Sequence, residues 1–108
     1  MAGALTAVQC VLPSMQAAGR GTIIFTGGGF ALEPAADYAS VSLGKAALRN
    51  LAFSLAHEMR GTAIHAGTVT ICGMVKSGTH FDPNLIAETF VEFHKQPRDG
   101  FDTELMYR

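Results

Sequence analysis

The apolar residues of this chain recur first with a helical period and then with the density of a buried strand. Over residues 3–18, large apolar side chains return every three or four positions, which predicts an amphipathic helix with Pro13 inside it. Residues 22–26 form a β-branched run between glycines and predict a short buried strand, and the glycines 27–29 predict a turn. The apolar positions of the helix are Leu5, Val8, Leu12 and Met15.

The same alternation continues beyond the glycines. A long helix is predicted over residues 37–60, with Asp37 as its N-cap and one apolar stripe. Residues 64–72 are dense in Thr, Val and Ile and predict a second strand. The stripe of the long helix consists of Leu48, Leu51, Leu55 and Met59.

A third helix and strand are predicted near the end of the chain. Asp82 followed by Pro83 has the form of an N-cap and a first-turn proline, and Pro97 and Gly100 stop the helix. Residues 101–107 then predict a last short strand. The buried face of this helix is predicted to be Ile86, Phe90 and Phe93.

Helices and strands therefore alternate, and this order predicts an α/β fold. Strands that are joined through helices pair in parallel, with right-handed crossovers that cover both faces of the sheet. We predict one domain, residues 1–108, with a parallel sheet of about three strands and flanking helices. A parallel sheet is seldom so narrow, so strands are expected to be missing on the N-terminal side.

Composition and charge exclude several classes of function. With 8 basic and 9 acidic residues and a net charge of −1, no nucleic-acid surface is expected. Residues 1–19 are uncharged, but they lack the basic start of a signal peptide and are too short and too polar for a membrane helix. We therefore predict a cytoplasmic protein with no membrane partner.

Two other features do not amount to a ligand site. The glycine turn after the first strand lacks the third glycine of a dinucleotide fingerprint, because Leu32 stands at that position. The four histidines are not spaced as metal ligands on one helix face, so no metal site is predicted. These histidines are His57, His65, His80 and His94.

The predicted second helix carries three candidates for acid–base chemistry, Tyr38, Ser42 and Lys45. A lysine ammonium can lower the pKa of a tyrosine, which lets the phenol act as an acid or base. Tyr38 and Lys45 are seven residues apart and about 10.5 Å apart along a helix axis, so coupling needs Ser42 or a water between them. The alternative is a packing or solvated lysine and an aromatic residue at the helix entry.

Taken in order, these segments resemble the C-terminal half of a short-chain dehydrogenase/reductase. Residues 21–24 resemble the fifth strand of that family, and residues 42–48, SLGKAAL, resemble the run that contains its catalytic lysine. Residues 64–71 resemble the next strand, and residues 77–79 resemble the loop over the nicotinamide. The resemblance implies a partial Rossmann-like sheet.

The resemblance also implies site residues and a cofactor. Lys45 takes the place of the catalytic lysine and would contact the cofactor, NAD or NADP, together with Ser77, Gly78 and Thr79. Tyr38 and Ser42 are the remaining candidates for the acid–base roles.

The chain departs from the family pattern at two catalytic positions. The family has a tyrosine four residues before the lysine and a serine about thirteen residues before that tyrosine. Here these positions hold Val41 and Gly28, which offer neither a phenol nor a hydroxyl. Tyr38 lies three residues too early, and helical side chains lean toward the N-terminus, so its hydroxyl is expected to lie away from Lys45.

The family's glycine-rich cofactor turn and first four strands would lie upstream of Met1. We therefore expect a truncated oxidoreductase-like chain that is not catalytic on its own. The helices that match residues 3–18 and 37–60 pack in a dimer interface in this family, so a homo-oligomer is expected.

Two alternatives to a truncated NAD(P)-dependent oxidoreductase stay open. The chain could be a non-catalytic oligomerisation or interaction module, or it could complement a separate N-terminal chain. The loss of both hydroxyl groups favours the interaction module, because truncation alone would leave the motif intact.

Overall fold

The computed structural model describes residues 2–29 and 39–108, and it confirms the predicted alternation of helices and strands. The elements are α1 (Ala2–Ala18), β1 (Gly21–Gly28), α2 (Ala39–Glu58), β2 (Ile64–Ile71), α3 (Pro83–His94), a 3-10 turn (Arg98–Gly100) and β3 (Glu104–Tyr107). Of the helices in this part of the chain, none combines the length and apolarity that a membrane crossing needs.

The first strand extends further than the sequence predicts. β1 runs to Gly28, two residues into the glycines for which a turn is predicted. A Cβ atom on Gly27 would lie 2.9 Å from the hydroxyl oxygens of Thr68 and Thr70 on β2. Gly27 therefore avoids a clash with these threonine side chains, and β1 ends at Gly28.

Other element boundaries differ by a few residues. α2 is two residues shorter at each end than the predicted 37–60, and Asp37 lies outside the described residues. β3 begins at Glu104 and not at residue 101, because the 3-10 turn and a short irregular segment come before it. The start of α3 is confirmed, since the Asp82 side chain accepts a hydrogen bond from the backbone N–H of Asn84.

The three strands form one parallel sheet in the order β1-β2-β3. Gly28 pairs with Ile71 and Ile71 with Tyr107, so the carboxyl ends of all three strands are level. β2 is the central strand, and seven of its eight residues are buried. This arrangement confirms the predicted α/β fold class.

Helices cover both faces of the sheet. α1 and α2 pack on one face, and α3 packs on the other through Ile86 and the fully buried Phe93. The predicted stripe of α2 is confirmed, because Leu55 and Met59 are buried. The buried cluster beneath α1 and α2 consists of Val8, Phe25, Ala52, Leu55, Met59, Ile64 and Ala66.

A buried histidine lies on the α3 side of the sheet. The His65 ring stacks between Phe93 and Phe101, at centroid distances of 4.3 and 4.2 Å. Its Nε2 donates a hydrogen bond to the backbone oxygen of Asp102 at 2.8 Å, since a carbonyl oxygen can only accept. Within the described part of the chain, Nδ1 of this ring is the buried side-chain polar atom that has no partner.

A polar contact joins α2 to the edge strand β3. Arg49 donates two hydrogen bonds, each of 2.9 Å, to the two carboxylate oxygens of Glu104. The Thr70 hydroxyl donates to the same carboxylate at 2.7 Å, and the guanidinium lies 4.6 Å from the centre of the Phe53 ring. The bidentate geometry holds the Glu104 side chain of β3 against Arg49 of α2.

Candidate functional site

Lys45 lies against the carboxyl end of β1. Its Nζ donates a hydrogen bond of 3.1 Å to the backbone oxygen of Thr26. Its methylene carbons would be 3.8 Å from a Cβ atom placed on Gly28. The packing of α2 on the sheet therefore holds the lysine at the edge where parallel α/β folds bind their ligands.

Gly28 and Val41, the two positions that depart from the family pattern, both lie near Lys45. Gly28 is the last residue of β1, and a Cβ there would make only ordinary van der Waals contacts. Val41 lies one helical turn before Lys45 and is 46% exposed. A Cβ atom is therefore tolerated at Gly28, and the Val41 side chain is not buried.

Ser42 and Tyr38 are the other two acid–base candidates. Ser42 is buried at 6% exposure on α2, whereas Lys45 is only half-buried. Tyr38 lies outside the described residues. The roles predicted for both therefore stay predictions.

The loop at residues 77–79 follows β2 and is exposed. The backbone N–H of Gly78 donates to the Asp82 carboxylate at 2.8 Å, and the Thr79 hydroxyl donates to the backbone oxygen of Lys76 at 2.7 Å. These N–H bonds from Gly78 and Asn84 hold the pKa of Asp82 below its usual range. The helix cap of α3 thus also orders the loop.

Lys45 and the loop at residues 77–79 lie at the same edge of the sheet. Gly28 pairs with Ile71, so β1 and β2 end at the same edge. Lys45 contacts β1 near this end, and the loop follows the end of β2. No hydrogen bond among the described contacts joins Lys45 to the loop. The sequence-predicted residues are therefore brought to one edge without direct contact.

A cluster that the sequence does not predict fastens this loop to the chain's last residues. The Tyr107 hydroxyl donates to the backbone oxygen of His80, and Nε2 of His80 donates to the backbone oxygen of Arg108. The His80 and Tyr107 rings stack at 4.8 Å, and Phe81 meets Tyr107 edge-on at 5.6 Å. No periodicity links residues so far apart, so only the pairing of β2 with β3 reveals them.

His, Cys, Asp and Glu side chains form no group of three that could hold a metal ion in the part of the chain that the structure describes.

Comparisons with solved structures identify the same fold. A serine dehydrogenase in its closed form complexed with NADP+ matches with a TM-score of 0.86 and 18% identity, over 96% of this chain and 50% of that chain. Serine dehydrogenase from Escherichia coli matches with a TM-score of 0.87 and 22% identity, over 96% and 47%. A short-chain dehydrogenase from Rhodopseudomonas palustris matches with a TM-score of 0.65 and 28% identity, over 87% and 41%. The chain thus spans about half the length of these proteins or less.

The sequence itself supports the same assignment. A search of curated proteins gives no match. The sequence model of the short chain dehydrogenase family matches residues 1–86, which is most of the chain. This chain therefore belongs to the short-chain dehydrogenase family.

Proposed function

We propose that this chain is a dehydrogenase-like protein that keeps the lysine of a nicotinamide-cofactor site but performs no hydride transfer on its own. The observation that carries the proposal is the position of Lys45 against Gly28. Lys45 contacts the carboxyl end of β1, while neither Gly28 nor Val41 has a side chain with a proton or a hydroxyl to give.

The residues that are present fit one part of an NAD or NADP molecule. Lys45 uses one N–H for Thr26 and keeps two further donors for ribose hydroxyls. Ser77 belongs to the exposed loop that follows β2 and would contact the carboxamide. When bound, the cofactor supplies the hydride, and these side chains would hold its nicotinamide end.

General acid catalysis is the step that the chain is poorly equipped to perform. Protonation of a developing alkoxide requires a group with a dissociable proton within hydrogen-bond reach. The Val41 side chain is a hydrocarbon, and Gly28 has no side chain to orient a carbonyl. A bound carbonyl compound would therefore meet Lys45 without the acid that normally accompanies it in this family.

The purified chain is expected to oxidise no NADPH or NADH in the presence of aldehydes and ketones. The assay follows cofactor absorbance beside a titration of cofactor binding by calorimetry, with Lys45→Met as the matched control for contaminating enzymes. Turnover by the native chain that disappears in Lys45→Met would overturn the proposal.

The variant Gly28→Ser/Val41→Tyr identifies the cause of inactivity. A Cβ atom at Gly28 would make only ordinary contacts and Val41 is exposed, so both substitutions are expected to leave the packing of the described residues intact. Turnover in this variant would attribute the inactivity to the missing hydroxyl groups, and continued inactivity would attribute it to cofactor binding.

A specific observation favours an interaction module as the second candidate function. Residues 2–18 form a helix without a charged residue, and Val8 is its one buried residue among those whose side chains are described. Leu5 and Val11 are exposed at 41% and 42%, and Phe53 on α2 at 39%. We propose that a second copy of the chain covers α1 and α2.

Under this proposal, Val11→Glu is expected to weaken self-association at least tenfold, because an unpaired carboxylate would be buried at the interface. Light scattering coupled to size exclusion gives the mass of the native chain and of the variant. Leu85→Glu on α3 is the matched control, since Leu85 is 43% exposed on the opposite face. A monomeric native chain, or equal effects of the two substitutions, would contradict the proposed interface.

A further inference from the structure

A cavity of about 220 Å³ opens at the amino edge of the sheet, opposite the edge that holds Lys45. Its walls are the end of α2, the start of β2 and the segment 98–103 that leads into β3. The length of β2 separates the two edges by about 23 Å. The volume lies below the roughly 300–1,000 Å³ of sites for drug-sized molecules, so the cavity suits a smaller molecule.

The floor of this cavity is apolar. Met59 and Ile64 are among its lining residues and are 6% and 4% exposed. Phe101 continues the floor, and its ring stacks on the buried ring of His65. A hydrocarbon group placed here would leave water for a well-packed apolar surface.

Two arginines belong to the rim. Nη2 of Arg98 donates to the backbone oxygen of Gly61 at 2.6 Å, and Nη2 of Arg60 donates to the His57 ring at 3.2 Å. Each guanidinium has five donors, so each keeps several beyond these bonds. Over the described residues the sole carboxylate-paired arginine is Arg49, so Arg60 and Arg98 are available to a ligand anion.

Two carboxylates share the same rim. Asp99 and Asp102 line the cavity, and the Asp102 carboxylate already accepts a bond of 2.9 Å from the Gln96 amide. A simple anion would be attracted by the arginines but repelled by these acids. A small molecule that carries one charge of each sign matches the rim better.

We propose that this cavity binds a free α-amino acid with an apolar side chain. The ligand carboxylate pairs with Arg60 and Arg98, for which guanidinium has the matching forked geometry. The ligand ammonium pairs with Asp99, and the side chain packs on Met59 and Ile64. The site is separate from the nicotinamide edge and stands whether or not the chain binds a cofactor.

The test is a titration of the full chain with L-phenylalanine, followed by NMR signals of the His65 ring and the Met59 methyl group. Saturable shifts of both signals are expected. N-acetyl-L-phenylalanine lacks the ammonium and L-phenylalaninamide lacks the carboxylate, and each is expected to bind roughly tenfold more weakly or worse.

Three variants complete the test. Arg98→Gln and Asp99→Asn are each expected to weaken binding roughly tenfold. Arg20→Gln changes an exposed arginine outside the cavity and is expected to leave binding unchanged. If Arg98→Gln disturbs the fold through its bond to Gly61, Asp99→Asn on the exposed turn decides the result.

Three results would overturn the proposal. One is the absence of saturable shifts up to the solubility limit of phenylalanine. Another is equal binding of the zwitterion and its two singly charged analogues. The third is unchanged binding in a folded Asp99→Asn variant.

Discussion

Replacement of Gly67 by alanine is expected to destabilise the fold by roughly 3 kcal/mol or more. Gly67 lies in the middle of β2, and a Cβ atom there would be 2.4 Å from the backbone oxygen of Thr103. The same atom would be 2.7 Å from the ring of Phe93, which is fully buried. Neither neighbour is a flexible chain end, so the segment before β3 must move.

Movement of that segment breaks a further contact. The oxygen of Thr103 accepts a hydrogen bond of 2.9 Å from the backbone N–H of Thr68, which begins the pairing of β2 with β3. Loss of this bond adds to the steric cost. Domains of this size are stable by only about 5–15 kcal/mol, so the variant should melt many degrees below the native chain.

Gly44→Ala is the matched control for this prediction. A Cβ at Gly44 meets nothing within 4 Å, and the residue lies inside α2. Alanine should therefore stabilise the chain by about 0.5–1 kcal/mol, because glycine is the poorer helix former. Thermal and urea unfolding of both variants measure the two effects. Similar melting of Gly67→Ala and the native chain would mean that β3 does not pack on β2 as described.

The elements of the fold could be predicted because their signals are local. The stripe ending in Leu55 and Met59 repeats at helical spacing, and Asp82 and Pro83 define a helix start within two residues. The parallel order then follows from helix–strand alternation, since strands joined through helices run in the same direction. Lys45 could also be named as a candidate from the sequence, because residues 42–48 resemble the run that contains the family's catalytic lysine.

What could not be predicted depends on contacts between distant segments. Gly67 resembles any other strand residue until α3 and the segment before β3 approach it. His80 and Tyr107 form a stack only because β2 and β3 pair, and no sequence pattern joins them. The amino-edge cavity is of the same kind, since Arg60 follows the end of α2 and Arg98 lies in the 3-10 turn before β3.

The second large effect on the free energy of unfolding is expected from Arg49→Met, and this effect should depend on pH. The hydrogen bond from Arg49 holds the pKa of Glu104 below its ordinary value of 4.5, while burial of the carboxyl acts in the opposite direction and the Thr70 hydroxyl assists the arginine. The same bond raises the pKa of Arg49, which stays charged throughout. The variant leaves a Glu104 side chain that is 10% exposed without its cation.

At neutral pH this variant should lose roughly 1–2 kcal/mol of unfolding free energy. The estimate is low in the range for broken ion pairs, because the Arg49 side chain is 34% exposed and solvent screens it. Met retains most of the apolar stem that packs beside Phe53, so the loss reports mainly on the charge contact.

The pH dependence follows from the depressed pKa of Glu104 in the folded chain. A carboxyl of this kind contributes its full stabilisation above its unfolded pKa, near 4.5, and loses it as pH falls through the lower folded value. The difference between the native chain and Arg49→Met should therefore shrink between neutral pH and about pH 3, because this range crosses the unfolded pKa near 4.5 and runs toward the lower folded value. Urea unfolding of both chains at the two pH values measures this difference. The control is Arg60→Met, which removes an exposed arginine that has no carboxylate partner among the described residues. Its effect on the free energy of unfolding should not change with pH in this way. A difference of the same size at both pH values would show that Arg49 stabilises the chain through its packing on Phe53 and not through the charge of Glu104.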